Sequence, residues 1–313
     1  MRVAFFGTPD FAVPTLAGLI GGPHQVVSVV SQPDRPRGRG RSVTPSPVAQ
    51  LALDSGLPLL RPERVGAPEV VAALQEARPD LGVVVAFGQF LPRNVRELPA
   101  RGYLINAHAS LLPRHRGAAP IACAILSGDA ETGISVMRVE REMDAGPVAH
   151  TRRLAIGEDE SCGALSERLA QLAAMAIAQT LDDIAAERVH WEAQDESAAT
   201  LAPKIETSDA RLDWQHGALA LTRRIRALAP TPGARTQLEG ARLLILSARV
   251  GGGAVDRPPG IVRAQPGEPL AIATGDGWLV PLQLQRAGGR VLAADAFLRG
   301  RPIPDGTQLG DEG

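Results

Sequence analysis

The sequence predicts an α/β protein, with a doubly wound, mostly parallel sheet in an N-terminal domain and a smaller, OB-like β-barrel domain after it. Three observations predict this. Short apolar runs alternate with helical patterns through the first half of the chain, which is the texture of βαβ units. One run, "LGVVVAFG" at Leu81–Gly88, is nearly all apolar, as a strand covered on both faces has to be. From about Val189 the texture changes to short β-prone runs divided by glycine turns, which fits a small barrel.

The elements follow in order. Arg2–Phe6 reads as a strand, closed by Gly7-Thr8-Pro9, and Phe11–Leu19 has helical spacing. Val26–Val30 is a second β-branched run. Pro47–Asp54 and Pro68–Ala77 each place proline at the start of a helical pattern, where its fixed φ suits the first turn. Leu81–Gly88 and Tyr103–Ala107 are strands, Ala119–Leu126 a helix, Gly133–Val139 a strand and Leu165–Ala186 a long Ala/Leu-rich helix. Trp191–Ala202 is polar and irregular, as a linker would be. Asp213–Ala227 holds one more helix, and turn signals at Gly251-Gly252-Gly253 and Gly275-Asp276-Gly277 then punctuate the short β-runs. The expected division is a domain over 1–188, a linker over 189–207 and a barrel domain over 208–313. The tail after Arg301 is expected to be loose.

At 313 residues the chain has room for two cores. Its net charge of −1 gives no global attraction to nucleic acid or membrane, so any such contact must come from local patches. The two cysteines, Cys123 and Cys162, lack CxxC or Cys/His spacing, so neither a disulfide framework nor a metal site is expected. No run approaches the ~20 apolar residues of a membrane span. A cytoplasmic location is therefore expected. Lys204 is the only lysine, so almost every basic side chain is arginine.

The chemistry concentrates in "INAHASLLPRHRG", Ile105–Gly117. Residues i and i+2 of a strand point to one side, so Asn106 and His108 project together where the strand leaves the sheet. Ligands of doubly wound sheets bind at such carboxyl ends. An amide donates to a developing oxyanion and an imidazole moves a proton near neutral pH. A carboxylate that could orient the imidazole stands in "EMDAGPV", as Asp144. Amide, imidazole and carboxylate suit acyl transfer. Each has a plainer role as well: histidine as a structural strand end, Asp144 as an ordinary turn residue. No GxSxG elbow is present, so the nucleophile is expected to come from a substrate, for example an amine. His24, His115, His150, His190 and His216 have no comparable setting. "GTPDFA" at Gly7–Ala12 follows the first strand but lacks a phosphate-loop pattern, and Pro9 and Asp10 read as a helix start.

In this order, "FFGTPDFAVPTL", "QPDRPRGRGR", "VVVAFGQFLP", "INAHASLLPRHRGAAPI", "MDAGPV", "ARLDW", "IRALAPTPGA" and "TGDGWLVPLQLQRAGGR" resemble the folate-dependent formyltransferase family. The Asn-x-His-x-SLLP-x-x-RG core carries the family resemblance, and the arginine loop and C-terminal segments resemble the members that act on tRNA. The resemblance implies transfer of a formyl group from 10-formyltetrahydrofolate to the amino group of methionine on initiator tRNA. It implies Asn106, His108 and Asp144 as the catalytic set, Ser110, Leu111, Leu112 and Pro113 as folate contacts, and a pterin pocket along Phe87, Gly88, Gln89 and Leu91. A flat heterocycle with donors and acceptors suits strand-end backbone in a partly apolar slot.

Two arginine groups are candidates for tRNA. Arg35, Arg37, Arg39 and Arg41 alternate with proline and glycine in "QPDRPRGRGRSV", a cationic segment of the kind that orders on phosphates. Relatives often carry paired basic residues at its far end, where this chain has Arg41 then Ser42. Arg223, Arg224 and Arg226 form the second group, and Lys204–Arg301 holds 14 basic against 8 acidic side chains. Aromatic content of 3% argues for backbone positioning rather than a base-stacking platform. Trp214 reads as a packing residue between domains. Ala229 stands where asparagine is more usual in the family. The chain is expected to act as a monomer. The alternative reading is a formyltransferase for an amino-sugar nucleotide. A non-catalytic tRNA binder and a formyl-folate hydrolase fit the residues less well.

Overall fold

The computed structural model describes residues 1–37 and 42–310. Arg39 and Arg41 lie outside the described residues. The chain divides into two compact units, one of residues 1–120, 131–154 and 166–202, the other of residues 121–130, 155–165 and 203–313.

Through the first unit and the segments interleaved with it run β1 (Arg2–Gly7), α1 (Val13–Ile20), β2 (Gln25–Val30), the ribbon β3 (Arg35–Arg37) and β4 (Ser42–Thr44), and α2 (Pro47–Asp54). Next come β5 (Leu59–Leu60), α3 (Pro68–Ala77), β6 (Leu81–Val85), α4 (Arg93–Arg96), β7 (Leu104–His108) and β8 (Arg116–Gly117). The run ends with α5 (Pro120–Ser127), β9 (Glu131–Arg138), β10 (Val148–Ala155), α6 (Cys162–Ala185) and β11 (Leu201–Ala202). The seven-stranded sheet has the order β10-β9-β7-β6-β1-β2-β5. Its five strands from β5 to β7 pair in parallel, and β9 meets β7 antiparallel. The mostly parallel expectation holds.

Apolar runs account for the sheet. Every residue of β6 is buried, as are five of the six in β1 and in β2. Ala4, Phe6, Val84 and Leu104 pack with Val70 and Leu74 of α3 in one cluster. The neighbouring Val3, Phe5, Val83 and Ile105 are buried as well. Side chains that alternate between faces and are all apolar need cover on both. The chain passes from β1 to β2 and β5 on one side, then returns to β6 on the other side of β1. That reversal is a switch point, and the crevice it opens lies beyond the carboxyl ends of β1, β6 and β7.

The apolar run from Leu81 to Gly88 stops being strand at Val85, earlier than its composition suggests. Ala86 turns to φ +46° and Gly88 to φ +82°, so the backbone leaves the sheet and carries Phe87 back into the core, edge-on to Phe6 at 5.7 Å.

The second unit contains α7 (Ala218–Leu228), β12 (Ala234–Leu238), β13 (Ala241–Gly251), β14 (Val262–Arg263), β15 (Ala271–Ala273), β16 (Trp278–Arg286), β17 (Val291–Ala293) and α8 (Ala294–Gly300). It is an antiparallel sheet, β12-β13-β16-β15-β14, with β17 also on β16. Irregularities between Ile245 and Ala248 bend the long β13–β16 pair. Trp214 is buried inside this unit's own core, its indole N–H donating to Thr236 Oγ1 at 3.2 Å, rather than packing between domains. As far as Gly310 the tail is not loose either. Ile303 and Leu309 are buried in the same core, and Gly260, Val262 and Gln237 bond its backbone. Two widely spaced apolar residues were enough to anchor it.

Candidate active site

Strand β7 positions the first two groups. Asn106 pairs with Val84 of β6 and Met137 of β9, and His108 with Ser135 of β9. The main chain around the site is therefore fixed by neighbours on both sides. Among the described residues, no internal hydrogen bond engages the Asn106 amide side chain, which is half-buried. That leaves its donors available at the strand's end.

The His108 imidazole is buried, with an oxygen on either side. Nε2 lies 2.8 Å from the backbone carbonyl of His115. Nδ1 faces Asp144 Oδ2 at 3.6 Å, beyond hydrogen-bond range but close enough for a strong charge interaction. A carbonyl oxygen only accepts, so Nε2 is the donor in the His115 contact, and Nδ1 is the nitrogen on the Asp144 side. Asp144 is itself held by the Gly117 N–H, which donates to Oδ2 at 2.9 Å. Asp144 takes φ +55°, a conformation that Asp and Asn tolerate better than most residues.

The loop between β7 and β8 is knit internally. Ser110 is buried and donates its hydroxyl to the Arg114 carbonyl at 2.6 Å. Ser135 of β9 donates to the Ser110 carbonyl and accepts from the Leu112 N–H. Leu111, Leu112 and Pro113 are half-buried, with a cis bond before Pro113. Beside this loop stands the β6 exit, because Val84 and Asn106 are paired neighbours. Thr8 and Gln32 both donate to the Phe87 carbonyl, at 2.9 and 3.0 Å. Gln89 accepts from the Val65 N–H and donates to the Pro62 carbonyl, so it secures the adjoining loop. Leu91 is buried and Gly88 exposed.

Of the arginine groups, Arg35 is exposed and 3.7 Å from Glu63, and Arg37 lies in β3. Arg223 packs over Gly128. Arg226 donates to the carbonyls of Gly157 and Glu160, and burial pulls its guanidinium below the usual range. Arg224 is half-exposed on α7. Among the described residues, no group of three or more His, Cys, Asp or Glu side chains could hold a metal ion, and no helix is long and apolar enough to cross a membrane.

Sequence reasoning missed several parts of the site. His115, whose side chain has no catalytic setting in the sequence, contributes its backbone carbonyl. Gly117 contributes its N–H and takes φ +126°, and the glycine ending "RHRG" was the available signal. Ser135 is placed by strand register, which sequence does not display. Gln194 donates to the carbonyls of Asp144 and Gly146 from a segment with no pattern at all.

A buried imidazole backed by a carboxylate, a free amide on the same strand and no nucleophile elbow together describe a group-transfer enzyme whose nucleophile arrives with the substrate. Residues 1–181 match the family model described as formyl transferase, and residues 204–302 match the formyl transferase C-terminal domain. The chain belongs to the formyl transferase family. It is 49% identical over 310 residues to the methionyl-tRNA formyltransferase of Methylococcus capsulatus, covering 99% of this chain and 100% of that one. Relatives of the same name at 41% and 44% identity span 98% and 99% of the chain. The resemblance to the tRNA-directed members is borne out along the whole chain. Among solved structures, HypX from Aquifex aeolicus in complex with tetrahydrofolic acid superposes with a TM-score of 0.65 at 18% identity, over 95% of this chain and about half (47%) of that one. WlaRD, a sugar 3N-formyl transferase, reaches 0.67 at 14% identity, over 93% and 99%. At such identities these two likenesses show a shared fold.

Proposed function

We propose that this chain transfers the formyl group of 10-formyltetrahydrofolate to the free amino group of methionyl initiator tRNA, giving the N-formylated aminoacyl-tRNA used to start translation. The observation that carries the reading is the seat of His108 between the His115 carbonyl and Asp144, on the strand that also presents an unengaged Asn106 amide. Full-length kinship at 49% identity to a methionyl-tRNA formyltransferase supports the substrate assignment over an amino-sugar nucleotide.

In this mechanism Asn106 donates an amide N–H to the formyl oxygen as that atom gains negative charge, an effect worth on the order of 3 kcal/mol. His108 takes up at Nδ1, directly or through water, the proton released when the amine bonds to the formyl carbon, because Nε2 donates to the His115 carbonyl. It returns a proton, directly or through water, as the bond from that carbon to the folate nitrogen breaks. Asp144 stabilises the imidazolium between these events. The Ser110–Pro113 loop and the Phe87–Leu91 turn line the slot for the folate ring. Arg35, Arg37, Arg39 and Arg41 meet the tRNA backbone, and Arg223, Arg224 and Arg226 are a second group for tRNA phosphates. The enzyme acts as a cytoplasmic monomer and requires no metal.

The deciding experiment measures formyl transfer from the folate donor to charged initiator tRNA, with elongator methionyl-tRNA and an amino-sugar nucleotide as parallel acceptors. Selective transfer to the initiator is expected. Equal or preferential transfer to the sugar overturns the assignment.

A further inference from the structure

We infer that Gln194 is a positioning residue for the His108–Asp144 pair, and that the irregular segment Glu192–Ala202 clamps both oxygens that face the imidazole. The inference rests on the proposed reaction and concerns a part of the chain whose sequence carries no catalytic pattern.

The segment runs alongside two loops of its own unit. Glu192 exchanges backbone hydrogen bonds with Val148, at 2.8 and 2.9 Å, just after the Asp144 turn. Thr200 Oγ1 accepts from the His115 N–H at 2.9 Å. The Thr200 carbonyl accepts from the Arg116 N–H at 2.8 Å, and β11 pairs with β8. The peptide whose carbonyl receives His108 Nε2 is thus bounded by contacts from this segment. A Cβ on Gly117 would stand 2.5 Å from the Ala202 carbonyl oxygen. Only glycine lets the two backbones come so close while its N–H reaches Asp144.

Gln194 joins the two loops. Its Nε2 donates to the Asp144 carbonyl at 2.8 Å and the Gly146 carbonyl at 2.7 Å. Its Oε1 accepts from Arg116 Nε and Nη2 at 3.1 and 2.8 Å. Both donors and both acceptor positions of the amide are used. Arg116 also forms a two-pronged pair with Glu196, both contacts at 2.8 Å. That bond holds the Glu196 carboxyl below the usual carboxylate range and pushes the guanidinium up. Arg116 immediately precedes Gly117, the donor to Asp144. One amide therefore sets the backbone of Asp144 and, through Arg116, braces the N–H that receives its carboxylate. A misplacement of about 1 Å in such a constellation costs on the order of a hundredfold in rate.

Two substitutions separate positioning from simple support. Gln194→Ala removes the bridge. Gln194→Glu keeps an acceptor for Arg116 and loses the N–H groups that hold the Asp144 and Gly146 carbonyls. Both are expected to lower kcat by about tenfold or more, with KM for folate donor and tRNA within about twofold. Combined with Asp144→Asn, either should add little further loss. The His108 ring-nitrogen NMR resonances should move in both variants, a readout that needs no turnover. It stays informative even if the wild-type chain proves inactive on initiator tRNA, a result that would strike the proposed function alone. Wild-type kcat and unmoved His108 resonances in Gln194→Glu, or a fully multiplicative loss in the double variant, overturn the inference.

Discussion

Replacing Asp144 by Asn removes one charge and keeps the shape. Asn accepts the left-handed conformation that position 144 requires, φ +55°, and its amide oxygen can still take the Gly117 N–H found at 2.9 Å. What changes is the interaction with His108, whose Nδ1 is 3.6 Å from Oδ2. Two full charges at that distance attract by about 4–5 kcal/mol at an effective dielectric of about 20. The Asp144 side chain is 14% exposed, so water screens part of this and leaves about 2–3 kcal/mol. That stabilisation exists only while the imidazole is charged, so it belongs to the transition state rather than to substrate binding. The expected result is a fall in kcat of roughly 30- to 150-fold. Saturating single-turnover formyl transfer should read it, with tRNA affinity unchanged by filter binding. A kcat within about threefold of wild type, less than about 0.7 kcal/mol, would refute the electrostatic role given to this pair.

Asn106→Ala should lower kcat by about 10²–10³-fold while leaving the urea midpoint in place, because among the described residues the amide has no internal partner to lose; a matching loss of stability would make Asn106 structural. Gly133→Ala should destabilise the chain by about 1–3 kcal/mol, since the new Cβ would stand 2.1 Å from the Arg152 carbonyl oxygen and 2.6 Å from Leu111 Cδ2. Equilibrium unfolding checks the loss, and a rise in KM for the folate donor should accompany it through Leu111. The Cys162 thiol is pushed from 9.0 up to about 11 by burial, with Cys123 adding to it. Below pH 9 both folded and unfolded chains keep the proton; above it the unfolded chain releases it first. The stability advantage of the wild type over Cys162→Ala should therefore shrink by on the order of 2–3 kcal/mol as pH rises from 9 to 11, and a constant difference across that window would refute the buried thiol.

What the sequence made legible depended on how local the determining physics was. The parallel strands declared themselves because a strand with two covered faces must be apolar throughout, and Val3–Phe6 and Leu81–Val85 are. The start of α2 was legible for a similar reason, with Pro47 in the first turn and Ser46 accepting from the Ala49 N–H. The end of β6 was not. Apolar composition continues through Phe87, and only the backbone reversal at Ala86 separates strand from turn. The anchoring of the tail by Ile303 and Leu309 was hidden because two residues make no period. Register was hidden too, and with it Ser135, whose link to the loop after β7 depends on lying opposite His108.

The active site divides along the same line. In the proposed reaction the side chains that meet the reacting atoms are few and chemically distinctive, so Asn106 and His108, two residues apart on a strand, stand out in the sequence as candidates. The groups that surround His108 and Asp144 are mostly main chain: the His115 carbonyl, the Gly117 N–H, and the carbonyls of Asp144 and Gly146. Any residue type supplies such atoms, so the sequence leaves almost no trace of them except where geometry excludes a side chain, as at Gly117 beside Ala202. A buried proton carrier needs its acceptors fixed before the proton arrives, because a site that must reorganise forfeits the electrostatic advantage of its low-dielectric setting. In this chain the fixing falls to a polar stretch outside the apolar code that specifies the sheet. Substitutions along Glu192–Ala202 that spare the sheet should therefore be read first in kcat and only secondarily in stability.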